Sequence, residues 1–310
     1  MWGALNDRVE LVAPVFAGAG WREHRVQLAQ VEVLIGSWGI STLDQELLEA
    51  MPRLRVVLYG AGTVREFLRP EFWRRNIQLA SAANANAGPT AAFAEAMILL
   101  SLKHTWFYLR RNLIGWPSLQ DTASSGVHGA TVGIIGLSRV GREVVRGLQR
   151  HEVRILASDP TATPEQARQL GVELVDLPAV FAHSDVVSLH APLFPQTTGM
   201  ITGELLRRLK PHATFVNTAR GAIVREPELV AVMRERPDLT AVLDVTDPEP
   251  APADSPLRTL PNVVLTPHLA GARHREIGLI GRSVMAELDR YLRGLPLSGA
   301  LDEDAVRRMA

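Results

Sequence analysis

Cysteine is absent from all 310 residues, which excludes disulfides, thiolate catalysis and cysteine-bound metal. Lysine is nearly absent: only Lys103 and Lys210 occur, and the rest of the 33 basic residues are arginines. Against 33 acidic residues the formal charge is zero, and no run of one sign stands out, so nothing favours a nucleic acid or an anionic membrane as partner. No apolar stretch approaches the ~18 residues that a membrane span requires. Residues 1–12 show no basic segment leading into an apolar core. The expectation is a cytoplasmic soluble protein with no metal site. Its wealth of alanine, leucine and arginine fits a GC-rich bacterial genome.

The length is long for one core and comfortable for two domains. Short β-branched runs alternate with longer segments of helical period, the pattern of parallel sheets covered by helices. A first set of strands is expected at residues 9–12, 31–35, 56–59 and 77–80, with a helix signal at 42–50. One long apolar helix is expected over 91–113, with Pro89 near its start. Residues 115–129 are rich in Gly, Ser and Pro and read as a linker. A second set of strands follows at 131–135, 153–158, 185–189, 214–217, 240–243 and 263–266, enough for one dinucleotide-binding sheet. The tail from Arg273 is mostly helical and too short to fold alone, so it is expected to pack on the first domain.

The second set opens on Gly136-Leu137-Ser138-Arg139-Val140-Gly141, between a strand and a helix. In a dinucleotide fold the first glycine makes the tight turn, the middle one admits the pyrophosphate and the third lets helix and strand pack closely. Here Ser138 takes the middle place. Asp159 ends the next strand, where a carboxylate accepts hydrogen bonds from the adenosine ribose. Arg220, Glu249 and His268 each stand just past a later strand. Together they can reduce a 2-oxo acid. The guanidinium fork holds a carboxylate by two parallel bonds, and a histidine supplies the proton that follows a hydride. A carboxylate beside such an imidazole favours its charged form.

Six stretches, VGIIGLSRVGR, DVVSLHAPLFPQTTGMI, FVNTARGAIV, LDVTDPEP, LPNVVLTPHLAG and LRVVLYGAG, resemble the D-isomer-specific 2-hydroxyacid dehydrogenases, among them glyoxylate, hydroxypyruvate and D-3-phosphoglycerate enzymes. The resemblance covers nearly the whole chain. It implies an α/β protein of two Rossmann-like domains, each a doubly wound parallel sheet, with a cleft between them. A discontinuous substrate-binding domain would use residues 1–100 and 275–310, and an NAD-binding domain 101–274. NAD(H) as cofactor and a homodimer are implied too.

The family's catalytic trio falls on Arg220, Glu249 and His268. The implied cofactor site comprises Gly136, Ser138, Arg139, Val140, Gly141, Asp159, His190, Ala191, Pro192, Thr197, Thr218, Ala219, Arg220, Asp244, His268 and Gly271. Within it Asp244 would hold the nicotinamide carboxamide, Thr218 and Ala219 would line its ring, Thr197 would lie near the phosphates and His190 would form a wall. Gly60, Ala61 and Gly62 match the loop whose N–H groups meet the substrate carboxylate, and Trp38 would face the substrate with Arg220 and His268. A glyoxylate- or hydroxypyruvate-type reductase of the D-2-hydroxyacid series is the expectation. Two other readings stand beside it: an NADH-responsive corepressor-like binding protein, and a formate- or phosphite-type dehydrogenase. The latter is disfavoured because the formate enzymes replace the acid partner with glutamine, where this chain has Glu249.

Overall fold

The computed structural model describes residues 8–112 and 126–307, so residues 113–125, most of the expected linker, lie outside the described residues. The chain divides into two compact units, one from the described residues up to Asn86 together with those from Ala272 onward, the other Ala87–Gly271. These boundaries differ from the expected ones. The first falls inside the helix Ala83–Leu102, because Ala91, Ala94, Ile98 and Leu102 of that helix are buried in a core of the second unit.

In the first unit β1 (Val33–Gly36), β2 (Val56–Tyr59) and β3 (Gln78–Ser81) form a parallel sheet in the order β1-β2-β3. Side chains alternate across a strand. Val57, Tyr59 and Leu79 therefore enter one core with Leu47, Leu48 and Phe72. Val56, Leu58 and Ala80 enter another with Ile280, Val284 and Leu288 of the helix Ile277–Leu292. Asp44 starts the helix Gln45–Ala50 by accepting from Leu47 N at 2.9 Å, which sets its beginning later than expected. The expected strand at 9–12 does not form; Val9 and Val12 pack singly against different cores instead of pairing.

The second unit carries a seven-stranded parallel sheet, all neighbours running the same way. It comprises β4 (Thr131–Ile135), β5 (Arg154–Ser158), β6 (Glu173–Leu174), β7 (Val186–Leu189), β8 (Thr214–Asn217), β9 (Thr240–Leu243) and β10 (Val263–Leu265). Strand β6, two residues long, is the addition to the expected six; so short a run carries no alternation to read. Ile135, Val187, Leu189, Phe215 and Leu243 face one core, and Val132, Ile134, Val186, Val216 and Val242 face the other. Helices cover both faces, so this sheet is doubly wound. The expected single helix over 91–113 is two: Ala83–Leu102 and Thr105–Asn112. The break lies at His104, whose backbone is left-handed (φ 53°), a conformation a continuing helix cannot contain. Among the described residues no helix is long and apolar enough to cross a membrane.

Candidate active site

The order of the large sheet is β10-β9-β8-β7-β4-β5-β6. From β4 the chain winds outward to β6 and then returns through β7 to β10 on the other side. The switch point, where open parallel sheets bind ligands beyond their carboxyl ends, therefore lies between β4 and β7. Six strands end in one row: Ser158, Ile135, Leu189, Asn217, Leu243 and Leu265 are consecutive register partners. The next residue along each strand is Asp159, Gly136, His190, Thr218, Asp244 and Thr266. Five of these six are expected site residues, so register alone assembles them along one edge of the sheet.

At the switch point, Gly136 takes φ 91°, and a Cβ there would lie 2.6 Å from the backbone of Ala191. A Cβ on Gly141 would lie 2.1 Å from Gly136 O, so both positions exclude side chains. Ser138 departs from the three-glycine pattern without strain, since its φ is −63°. It is the N-cap of the helix Arg139–Leu148, with Oγ accepting from Gly141 N at 3.3 Å. Arg139 is exposed and Val140 half-buried in the first turn of that helix. Asp159 is tied to the loop directly: Leu137 N donates to its Oδ2 at 2.7 Å, and Thr161 N and Oγ1 donate to its Oδ1 at 2.8 and 2.7 Å. A carboxylate has about four acceptor sites, so one remains for a ribose hydroxyl.

His190 lies under this loop, 4 % exposed, with Nε2 on Ser188 Oγ at 2.9 Å. Burial pushes its imidazole down to about 4, so the ring is neutral. Among the described residues its Nδ1 and the hydroxyl of Thr218 are buried without a hydrogen-bonding partner, two unsatisfied groups on residues of the row of strand ends. Thr197 closes the loop after β7, its Oγ1 donating to Pro192 O at 2.6 Å and accepting from Phe194 N at 2.8 Å. A glycine turn closed to side chains, an acidic residue bonded to it and two orphaned polar atoms beside it fit a dinucleotide.

The groups expected to handle the proton, His268 and Glu249, stand further along the same edge. His268 Nδ1 is hydrogen-bonded to Glu249 Oε1, and both side chains are partly exposed. The backbone of His268 is left-handed (φ 50°), a conformation uncommon for non-glycine residues and concentrated at functional sites. It is held from below by Asp244, which is 1 % exposed. The Asp244 carboxylate accepts from Thr266 Oγ1 at 2.5 Å, Leu269 N at 2.8 Å and Ala270 N at 2.9 Å, while His268 N donates to Asp244 O at 3.0 Å. The turn 266–270 is thus wound around one buried carboxylate, and about one acceptor site is left on it.

Arg220 follows β8, half-buried, with Nη1 donating to Ala219 O at 2.7 Å. Asn217 fixes this turn from both sides, accepting Ala219 N at 3.0 Å and donating to Arg220 O at 3.1 Å. A Cβ on the next residue, Gly221, would lie 2.0 Å from the carbonyl carbon of Thr246. That close approach seats the Arg220 turn on the segment leading to Glu249. Glu226 accepts from Asp247 N at 3.0 Å and supports the same segment, its carboxyl pushed up by burial. Asn217, Gly221, Thr246 and Thr266 build the site although the sequence does not single them out; only the small and polar residues just past each strand hint at them. Gly271 ends the second unit.

Gly60, Ala61, Gly62 and Trp38 belong to the first unit, after β2 and β1. Trp38 is 60 % exposed. The loop 60–62 is joined to the Trp38 turn by Ser37 Oγ, which donates to Gly60 O at 2.9 Å.

Residues 96–270 match the family described as "D-isomer specific 2-hydroxyacid dehydrogenase, NAD binding domain", more than half of the chain. The chain is similar to a glyoxylate reductase of Korarchaeum cryptofilum, 33 % identical over 86 % of this chain and 81 % of that protein. It is also similar to a D-3-phosphoglycerate dehydrogenase of Archaeoglobus fulgidus, 31 % identical over 84 % of this chain, of whose length it spans 49 %. Among solved structures, the apo D-mandelate dehydrogenase of Rhodotorula graminis shares the fold, with a TM-score of 0.82, 24 % identity, and coverage of 97 % of this chain and 93 % of that one. With a switch-point loop built for a dinucleotide and this match behind it, the chain belongs to the D-isomer specific 2-hydroxyacid dehydrogenases and carries their NAD-binding domain.

Proposed function

We propose that the protein interconverts a 2-oxo acid and a D-2-hydroxy acid with NAD(H), acting on small substrates of the glyoxylate or hydroxypyruvate type. The observation that carries this reading is the His268–Glu249 pair, set past β10 and β9 on the same sheet edge as the glycine turn and Arg220. Gly136, Ser138, Gly141, Asp159 and Thr218 would hold the cofactor, which when bound supplies the hydride for carbon 2. Arg220 binds the carboxylate and polarises the ketone; one of its five N–H donors is already on Ala219 O, which orients the rest. With Nδ1 fixed on Glu249, His268 presents Nε2 to the substrate oxygen and gives it a proton in reduction, or takes one in oxidation. Asp159 disfavours NADP(H), because its carboxylate repels a 2′-phosphate. As in the family, a homodimer is the proposed assembly.

The test is NADH and NADPH oxidation against a panel of 2-oxo acids, with the configuration of the product determined. Turnover with NADH exceeding NADPH and a D-product support the reading. NADH binding without turnover on any 2-oxo acid would overturn it in favour of an NADH-responsive binding protein.

A further inference from the structure

Glu249 lies in Asp247-Pro248-Glu249-Pro250, where two prolines leave few ways to anchor the main chain. Proline has no backbone N–H, so only Asp247 and Glu249 can donate from these four residues. Among the described residues Asp247 alone of the two meets a protein acceptor, its N donating to Glu226 Oε2 at 3.0 Å. Thr246 Oγ1 donates to Pro248 O at 2.9 Å, a bond that shapes the segment without attaching it to anything else. The far end is held by Arg258, which donates to Ala251 O at 2.7 Å and Pro252 O at 2.9 Å. Glu226 thus holds the near end and Arg258 the far end, with Glu249 between them.

At the near end a Cβ on Gly221 would lie 2.0 Å from the carbonyl carbon of Thr246 and 2.6 Å from Asp247 N, so this peptide packs directly on Gly221. Packing alone leaves a peptide plane free to tilt; a hydrogen bond to its N–H sets its direction. Glu226 follows the turn Gly221–Ile223 and is the first residue of the helix Glu226–Glu235. It is half-buried, burial pushes its carboxyl up, and among the described residues no cation pairs with it. Burying a carboxylate without a counter-charge is destabilising. Its one partner is the Asp247 N–H, so what Glu226 secures is the orientation of that peptide.

We propose that Glu226 is a positioning residue for the Glu249–His268 pair: by holding the Asp247 N–H it sets the segment that brings the Glu249 carboxylate to His268 Nδ1. This rests on the reading that His268 exchanges a proton with a 2-oxo acid. Glu226 acts through Glu249, so its loss falls on proton transfer and lowers kcat and kcat/KM together.

The experiment measures glyoxylate reduction by NADH in wild type, Glu226→Ala, Glu249→Gln and the double variant. Glu226→Ala should lower kcat roughly tenfold, part of the ~100-fold that an ångström of misplacement can cost, with the glyoxylate KM and NADH dissociation constant within about twofold of wild type. Glu226→Gln, whose amide oxygen still accepts from Asp247 N, should recover most of the loss. In the Glu249→Gln background the same Glu226→Ala change should cost less than about twofold, because the carboxylate it positions is already gone. If melting shows that Glu226→Ala is unfolded, Glu226→Asp, which keeps the charge but falls short by one methylene, takes its place in the same cycle. Unchanged turnover in the folded variant, a loss of equal size in both backgrounds, or a Glu226→Gln no better than Glu226→Ala overturns the positioning role and leaves the functional reading standing. A wild type that reduces no 2-oxo acid overturns both.

Discussion

Two turns on one edge of the large sheet reach definite shapes by opposite means. The turn after β4 is shaped by missing side chains: at Gly136 and Gly141 a Cβ would strike backbone at 2.6 and 2.1 Å. The turn after β10 is shaped by one side chain, the Asp244 carboxylate, which gathers Thr266, Leu269 and Ala270 and leaves His268 exposed and left-handed above it. A site made from backbone suits an anionic cofactor, which needs close approach and N–H groups more than chemistry. The proton transfer proposed for His268 needs a titratable ring in a fixed orientation, which a buried carboxylate beneath a left-handed turn would provide.

Asp244→Ala strikes at this difference most strongly. It leaves three donors without their acceptor, at a cost on the order of 3–9 kcal/mol from a penalty of about 1–3 kcal/mol for each such group. Denaturant unfolding should show the loss, and reduction should slow by at least ~100-fold as His268 leaves its orientation. A kcat within tenfold of wild type would mean that the carboxylate does not hold the turn.

His190, beneath the glycine turn, gives the next effect. Its folded value of about 4 lies below the unfolded ~6.5, so below pH 6.5 the unfolded chain takes up a proton that the folded one refuses. The stability is fully present above pH 6.5 and is lost as the pH falls through about 4, a total near ~3 kcal/mol. Burial and His212 push His104 the same way, so the comparison is with His190→Asn, whose stability should fall less steeply between pH 6.5 and 4. Parallel slopes would show that His190 is not held neutral.

The smallest effect is at Ser138. As an N-cap it is worth about 1 kcal/mol of stability against alanine and a few tenths against glycine. Ser138→Gly should change the NADH dissociation constant less than about threefold by calorimetry, since the proposed contact of this turn with the cofactor is made by backbone N–H groups, while the Ser138 oxygen serves the helix by accepting from Gly141 N. A larger change in either direction would give the hydroxyl a direct part in cofactor binding.

Much of the second unit was legible because its strands are short β-branched runs bounded by turn residues. Residues 131–135, 214–217 and 240–243 form strands with the expected limits. Residues 9–12 have the same composition and form none, since pairing needs a neighbour that composition cannot supply. The break at His104 carries no glycine or proline to announce it. In the site, the residue types past each strand were readable from order and family resemblance. What those residues bond to was not. That Asp244 carries the His268 turn, that Asp159 accepts from Leu137 N and that Ser81 holds the loop 60–62 depend on strands far apart in sequence coming into register.

The most direct test of the account is the pH dependence of kcat/KM measured in both directions for wild type and His268→Ala. For wild type, reduction of the 2-oxo acid should fall as the pH rises while oxidation of the hydroxy acid climbs over the same range, because the ring must be charged for one and neutral for the other. His268→Ala should erase both limbs and lose roughly 10²–10⁴-fold in rate while still binding NADH. Near-normal turnover with an unaltered profile in that variant would contradict the assignment of His268 as the group that carries the proton.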